Sequence, residues 1–91
     1  MDKNDQLLAQ LLYIFQASAL QGMGKMKNPM TDKIERNMEQ AAQSIDMLEM
    51  IKEKTKGNLS PEMARIIDNS LSELRLNYVD ELNKDKNNIT Q

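Results

Sequence analysis

Asp46 and Arg75 are the charged side chains closest to the apolar stripes of this sequence, and they pose its first chemical question. A carboxylate and a guanidinium at the edge of a core can bind a polar ligand. They can also hold two helices together as an interhelical ion pair, a common arrangement that often contributes little to stability. No cleft-forming motif accompanies Asp46 and Arg75, so they read as a structural pair. Further carboxylates, Glu49, Glu53, Asp68 and Glu73, recur at helical spacings. Paired carboxylates can do acid–base work or hold a cation. A di-metal carboxylate bundle requires Glu-x-x-His pairs, and this chain has no histidine. Solvated helix faces account for these acids. No catalytic residue, metal site or cofactor is expected, and the chain does not read as an enzyme.

The stretch EKTKGNLSPE, residues 53 to 62, could hold an anion. Lys54, Lys56 and Asn58 would supply the contacts, with the free amides of a following helix. Glycine-rich phosphate loops carry more glycines, as in GxxxxGK[ST], and that pattern is missing. Every residue here also has a structural use. Gly57 stands where a helix ends, with Lys54 and Lys56 in the last turn, where cations favour the dipole. Ser60 is a good N-cap, Pro61 suits the first helical position and Glu62 the second. The helix-boundary reading is the better supported one.

A second basic group, Lys25, Lys27, Lys33 and Arg36, lies upstream. A few lysines can make phosphate contacts even in an acidic protein. The aromatics are Tyr13, Phe15 and Tyr78, all in helical patterns, which leaves no stacking platform for bases. An RNA- or ribosome-associated factor using these lysines is the alternative reading; nucleic acid is not the expected partner.

The elements that position these residues are constrained by size and charge. With 91 residues the chain forms one small domain, and a core of that size is marginal. It has no cysteine, so disulfides and thiolate metal sites cannot supplement the core. Good helix packing or self-association must do so. The net charge of −2 is not that of a general nucleic-acid binder. The opening Met1-Asp2-Lys3-Asn4-Asp5 is polar, not a signal-peptide pattern, and a cytoplasmic location is expected. From Gln6 to Gly24 there is no charged residue. Gln6, Gln10, Gln16, Ser18 and Gln21 would each need a partner in lipid. An in-plane membrane helix would carry Lys and Arg on its polar face. No membrane role is expected.

Periodicity predicts helices at about 5–21, 38–56 and 61–82, a connector at 22–37 and a flexible C-terminal tail at 83–91. In the first helix Leu7, Leu8, Leu11, Leu12, Ile14, Phe15, Ala19 and Met23 share a broad arc. Asn4 or Asp5 can cap it, and Gly22 and Gly24 end it. The second helix can start after Asp32 or after Asn37, each followed three residues on by Glu or Gln. The later start is favoured, with Ile34 as a staple-like contact. Met38, Ala41, Ala42, Ile45 and Leu48 form its main stripe, while Met47, Met50 and Ile51 lie round the far side. In the third helix Met63, Ile67, Leu71, Leu74, Tyr78 and Leu82 follow the 3–4 spacing.

Read together, AAQSIDMLEMIKEKTKGNLSPE and SELRLNYVDEL resemble the small bacterial family known as domain of unknown function eighteen-forty-four. The likeness rests on Ile45-Asp46, Leu48, Glu53 to Leu59, Ser60, Glu62, Leu74-Arg75 and Tyr78-Val79. The threonine-glycine usual in that family's connector stands here as Thr31-Asp32. The resemblance implies a helical fold and a bacterial cytoplasmic setting. It implies no activity.

The expectation is an all-α, three-helix, hairpin-like bundle completed by homodimerisation, acting as a small interaction or scaffold protein that also binds protein partners. Exposed apolar patches mark association surfaces. The candidate self-association residues are Leu8, Leu12, Phe15, Met47, Met50 and Ile51. The flexible thioethers of Met47 and Met50 suit adaptable contacts.

Overall fold

A computed structural model describes the backbone of residues 2–90 and the side chains of residues 2–86. Three helices follow in order, α1 (Lys3–Gly22), α2 (Met38–Lys54) and α3 (Pro61–Thr90), and each packs against the other two.

Each helix starts on a side-chain cap. The Asp2 carboxylate accepts from the Asp5 amide at 2.8 Å, so α1 begins earlier than the expected Asn4 or Asp5 cap would allow. Asp5 instead lies in the first turn, where a negative charge favours the helix dipole. Asn37 caps α2 by accepting from the Gln40 amide at 3.1 Å, as the later start requires. The Gln40 side chain does not reach back to complete the box; it donates to the Ser18 carbonyl of α1 at 3.0 Å. Ile34 is exposed and makes no staple. Helix α2 stops at Lys54, short of the expected Lys56: the Thr55 amide makes the last i→i−4 bond, to the Ile51 carbonyl at 3.0 Å, the Lys56 amide turns to the Glu53 carbonyl, and Gly57 takes φ +88°. Ser60 Oγ caps α3, accepting from the Met63 amide at 3.2 Å.

The core is continuous across the bundle. Helix α1 contributes Leu12 and Ala19, with Met23 just beyond its end; α2 contributes Ala41, Ile45, Leu48 and Ile51. Helix α3 contributes Met63, Ile67, Leu71 and Leu74, with Tyr78 packed partly against them. Leu82 is exposed, and the stripe continues through buried Glu81 instead. The expected flexible tail is also corrected. Helix α3 continues past 82 to Thr90, and Gln91 lies outside the described residues. No glycine or proline interrupts that stretch, and Lys84 pairs with Glu81 and Asp80 on its own helix, at 2.8 and 3.8 Å.

Helices α1 and α2 cross at small residues. A Cβ on Gly22 would stand 2.7 Å from both the Ala41 nitrogen and the Asn37 oxygen, so only glycine allows this approach. The Asn37 amide donates to the Gly22 carbonyl at 2.8 Å, closing the connector at the same point. Within the connector, Asn28 organises a turn: its amide donates to the Lys33 carbonyl at 2.8 Å, and its side chain accepts from the Met30 amide at 2.9 Å. The turn holds Asp32 at φ +57°, a left-handed conformation that glycine adopts without the Cβ clash.

Two substitutions test this account. Gly22→Ala should lower stability by about 2 kcal/mol, because backbone overlap outweighs the gain in helix propensity. Asp32→Gly should leave stability unchanged or raise it by up to about 1 kcal/mol, by relieving the left-handed strain. Urea unfolding followed by circular dichroism measures both.

Candidate functional site

Two features of the surface could do work: a charged clamp between the connector and α3, and an apolar face on α1 and α2.

The clamp centres on Glu81, which is only 7% exposed although it is a carboxylate. Three cations surround it. Lys84 Nζ lies 2.8 Å away, Arg36 Nε 3.4 Å and Lys25 Nζ 3.6 Å. Arg36 also pairs with Asp85 at 2.9 Å and lies within 3.4 Å of the Glu81 carbonyl. The hydrogen bond from Lys84 holds the Glu81 carboxyl below the ordinary carboxylate range, against the opposite push of burial. The charges of Lys84 and Lys25 and the Arg36 hydrogen bond add to that lowering. Lys84 is raised in turn, chiefly by its bond to Glu81. The cluster ties both ends of the connector to α3. The sequence reading missed it, although Glu81 follows Tyr78 by the same three-residue step that links Leu71 and Leu74. A carboxylate at a core-stripe position was the available signal.

The clamp also bears on the connector cations. Lys25 and Arg36 are committed to Glu81 and Asp85, and Lys27 lies 4.0 Å from Asp32. Of the four expected phosphate contacts, Lys33 is the one without an ion pair among the described residues.

The apolar face runs along α1 through Leu7, Leu11 and Ile14 and continues onto α2 through Met47 and Met50. By helical register it lies on the side of both helices turned away from α3. Ile14 is 60% exposed, Met50 44% and Met47 37%. Beside Ile14 a groove of about 230 Å³ opens between the helices, lined by Ile14, Phe15, Ser18, Gln40, Gln43, Ser44 and Met47. Its polar wall is internally bonded. Ser18 and Ser44 meet Oγ to Oγ at 2.9 Å, and Ser44 Oγ lies 2.8 Å from the Gln40 carbonyl.

The expected self-association residues divide. Met47 and Met50 are exposed on this face, and Leu8 and Phe15 are partly buried against the core. Leu12 and Ile51 are corrected, since both are buried within the single chain. The buried arc of α2 is rotated toward Ser44 and Ile51, because the serine pair lets α1 pack over that side.

The Asp46–Arg75 pair is also corrected. Arg75 donates through Nε to Glu49 Oε1 at 3.0 Å and through Nη2 to the same oxygen. The antiparallel register of α2 and α3 sets Lys52 beside Asp68 at 2.7 Å and Glu49 beside Arg75. Asp46, one turn earlier, lines a shallow groove with Tyr78 and Val79. It makes no ion pair among the described residues.

Lys54, Lys56 and Asn58 are exposed and serve a helix boundary. The Asn58 amide donates to the Thr55 carbonyl at 2.9 Å, and Gly57 takes φ +88°. Ser60 already occupies one of the first amides of α3. Among the described residues no group of acids or histidines could hold a metal ion, and no helix is long and apolar enough to cross a membrane.

The clamp carries a pH signature. Because the Glu81 pKa is lowered on folding, its stabilisation is present above the ordinary value of 4.5 and is lost as pH falls through the folded value. Glu81→Gln should lower stability by about 1–2 kcal/mol at neutral pH, since its charged hydrogen bonds are partly solvent-screened. The gap between the two proteins should close as the solution is acidified below that range. Urea midpoints measured across pH would show a constant gap if the clamp contributed nothing electrostatic.

Comparison with known proteins gives one result. No curated protein and no solved structure matches the chain. Residues 5–80 match the family described as Domain of unknown function (DUF1844), which covers the α1–α2 face, the connector and most of α3. The chain belongs to that family.

Proposed function

We propose that this protein is a small interaction or scaffold module that works by self-association and protein binding through its α1–α2 face. The observation that supports this most directly is the face itself. Leu7, Leu11, Ile14, Met47 and Met50 form one exposed apolar surface across two helices, beside a segment with no charge from Gln6 to Gly24. Apolar surface of this extent is costly to leave in water, and methionine is a side chain that adapts to different partners. The small size of the domain adds a reason, because a partner would supplement a marginal core. A cytoplasmic setting belongs to the same reading and agrees with the absence of cysteine.

The nucleic-acid reading receives less support, because most of the connector cations are engaged by Glu81, Asp85 and Asp32. Salt separates the two classes. Binding to phosphates weakens steeply with salt, whereas apolar association does not.

Sedimentation equilibrium over a range of protein concentration, at low and high salt, tests the reading. A dimer at both salts is expected. The double variant Met47→Glu with Met50→Glu should weaken it by about 100-fold or more, because two carboxylates would be desolvated. A chain that stays monomeric throughout, or a dimer indifferent to both glutamates, would refute the assignment of this face.

A further inference from the structure

Resting on that reading, we infer that the partner on the α1–α2 face is a second copy of this chain, related by a two-fold axis that seats Ile14 of each copy in the other's groove.

Three observations carry this. The first is charge. Each copy bears a net charge of −2, so most of its surface is unfavourable for meeting itself. The α1–α2 face is less charged than most of that surface. Its α1 side is uncharged from Gln6 to Gly24, and Gln43, Met47 and Met50 supply the α2 side, with exposed Lys54 on the same face at the end of α2. In an isologous contact the same patch appears on both sides, so any charge on it would face its own kind. A patch uncharged over most of its length, with Lys54 at one end and so far from its own symmetry mate, meets itself at little cost.

The second is area. Helix α1 has 20 residues. At about 1.5 Å per residue it is about 30 Å long, and two packed helices present a face about 20 Å wide. The projected area is therefore about 600 Å², and the corrugated accessible surface is larger. A stable interface needs about 800 Å² from each partner. The face is of the right order without recruiting α3.

The third is shape. Ile14 projects beside a groove that it helps to line, with Phe15, Ser18, Gln43, Ser44 and Met47 around it. A projection next to a hollow is self-complementary under a two-fold rotation, since each copy offers both. The pair also lies near the middle of the face, with Ile14 past the midpoint of α1 and Met47 near that of α2. An axis through the middle, lying in the plane of the face and crossing α1 near Ile14, lets each copy cover the patch of the other. It runs the two α1 helices antiparallel. The Ile14 side chains then sit close to the axis. Leu7, about 10 Å further along α1, lies about 20 Å from its own symmetry mate.

The chain has no cysteine, so single cysteines report this geometry cleanly. Ile14→Cys and Leu7→Cys alter exposed side chains outside the core. Under mild oxidation Ile14→Cys should be captured as a disulfide dimer. Leu7→Cys should remain a thiol, because its separation exceeds the 4.4–6.8 Å between Cα atoms that a disulfide spans. Gln43→Trp, a change at an exposed residue, should fill the groove and shift the protein to monomer in sedimentation with unchanged helicity. If the chain is dimeric but Leu7→Cys oxidises as readily as Ile14→Cys, or Ile14→Cys does not oxidise, the antiparallel seat is wrong while the face can still be the interface. A dimer that survives Gln43→Trp also overturns the seat. A monomer at every concentration removes both the seat and the function proposed above.

Discussion

The approach of α1 to α2 at Gly22 is the constraint on which the rest of the molecule depends. With no side chain at that position, the backbone of α1 comes against the Asn37 carbonyl and the Ala41 amide. The same contact closes the connector through the Asn37 amide. Ala19 and the Ser18–Ser44 pair extend the close packing along the crossing. Because the two helices lie so near each other there, α2 is rotated to bury Ser44 and Ile51. That rotation leaves Met47 and Met50 at the edge of the crossing, continuous with Leu7, Leu11 and Ile14. One steric requirement at a helix end thus shapes both the core and the apolar surface left exposed on α1 and α2.

The third helix is held by different physics. Its first half packs through Met63, Ile67, Leu71 and Leu74. Its second half runs past the apolar stripe and is secured to the connector by Glu81, Asp85 and their cations. Charged groups half open to solvent contribute less than apolar burial, but they specify where the connector lies. They also occupy Lys25 and Arg36, two of the four connector cations. Charge here fixes the connector against α3, and the apolar face on α1 and α2 stays open to solvent.

Much of this was legible in the residues. A period of 3.6 in the apolar residues, caps at Asn37 and Ser60, and glycine at 57 identify three helices and their order, because those signals are local. The resemblance carried by EKTKGNL and LRLNYV pointed to the family that the chain matches. The errors fell at element ends and at faces. Asp2 caps α1 where Asn4 and Asp5 were equally plausible by type, since all three can accept from a helix amide. The helix past Leu82 looked like a tail because its anchor, Arg36, is 49 residues away from Asp85 in sequence, a contact no local pattern contains.

What the sequence by itself determined was the composition of each helix, the absence of thiol and imidazole chemistry, and the absence of charge from Gln6 to Gly24. These follow from residue type and spacing alone. Only the tertiary structure decided which apolar residues are inside. Leu12 and Ile51 went to the core and Met47 to the surface, because a helix with apolar residues on more than one side has no single preferred face until a neighbour packs on it. It likewise decided that Arg75 meets Glu49 instead of Asp46, since the partner of a charge on one helix is set by the register of the next.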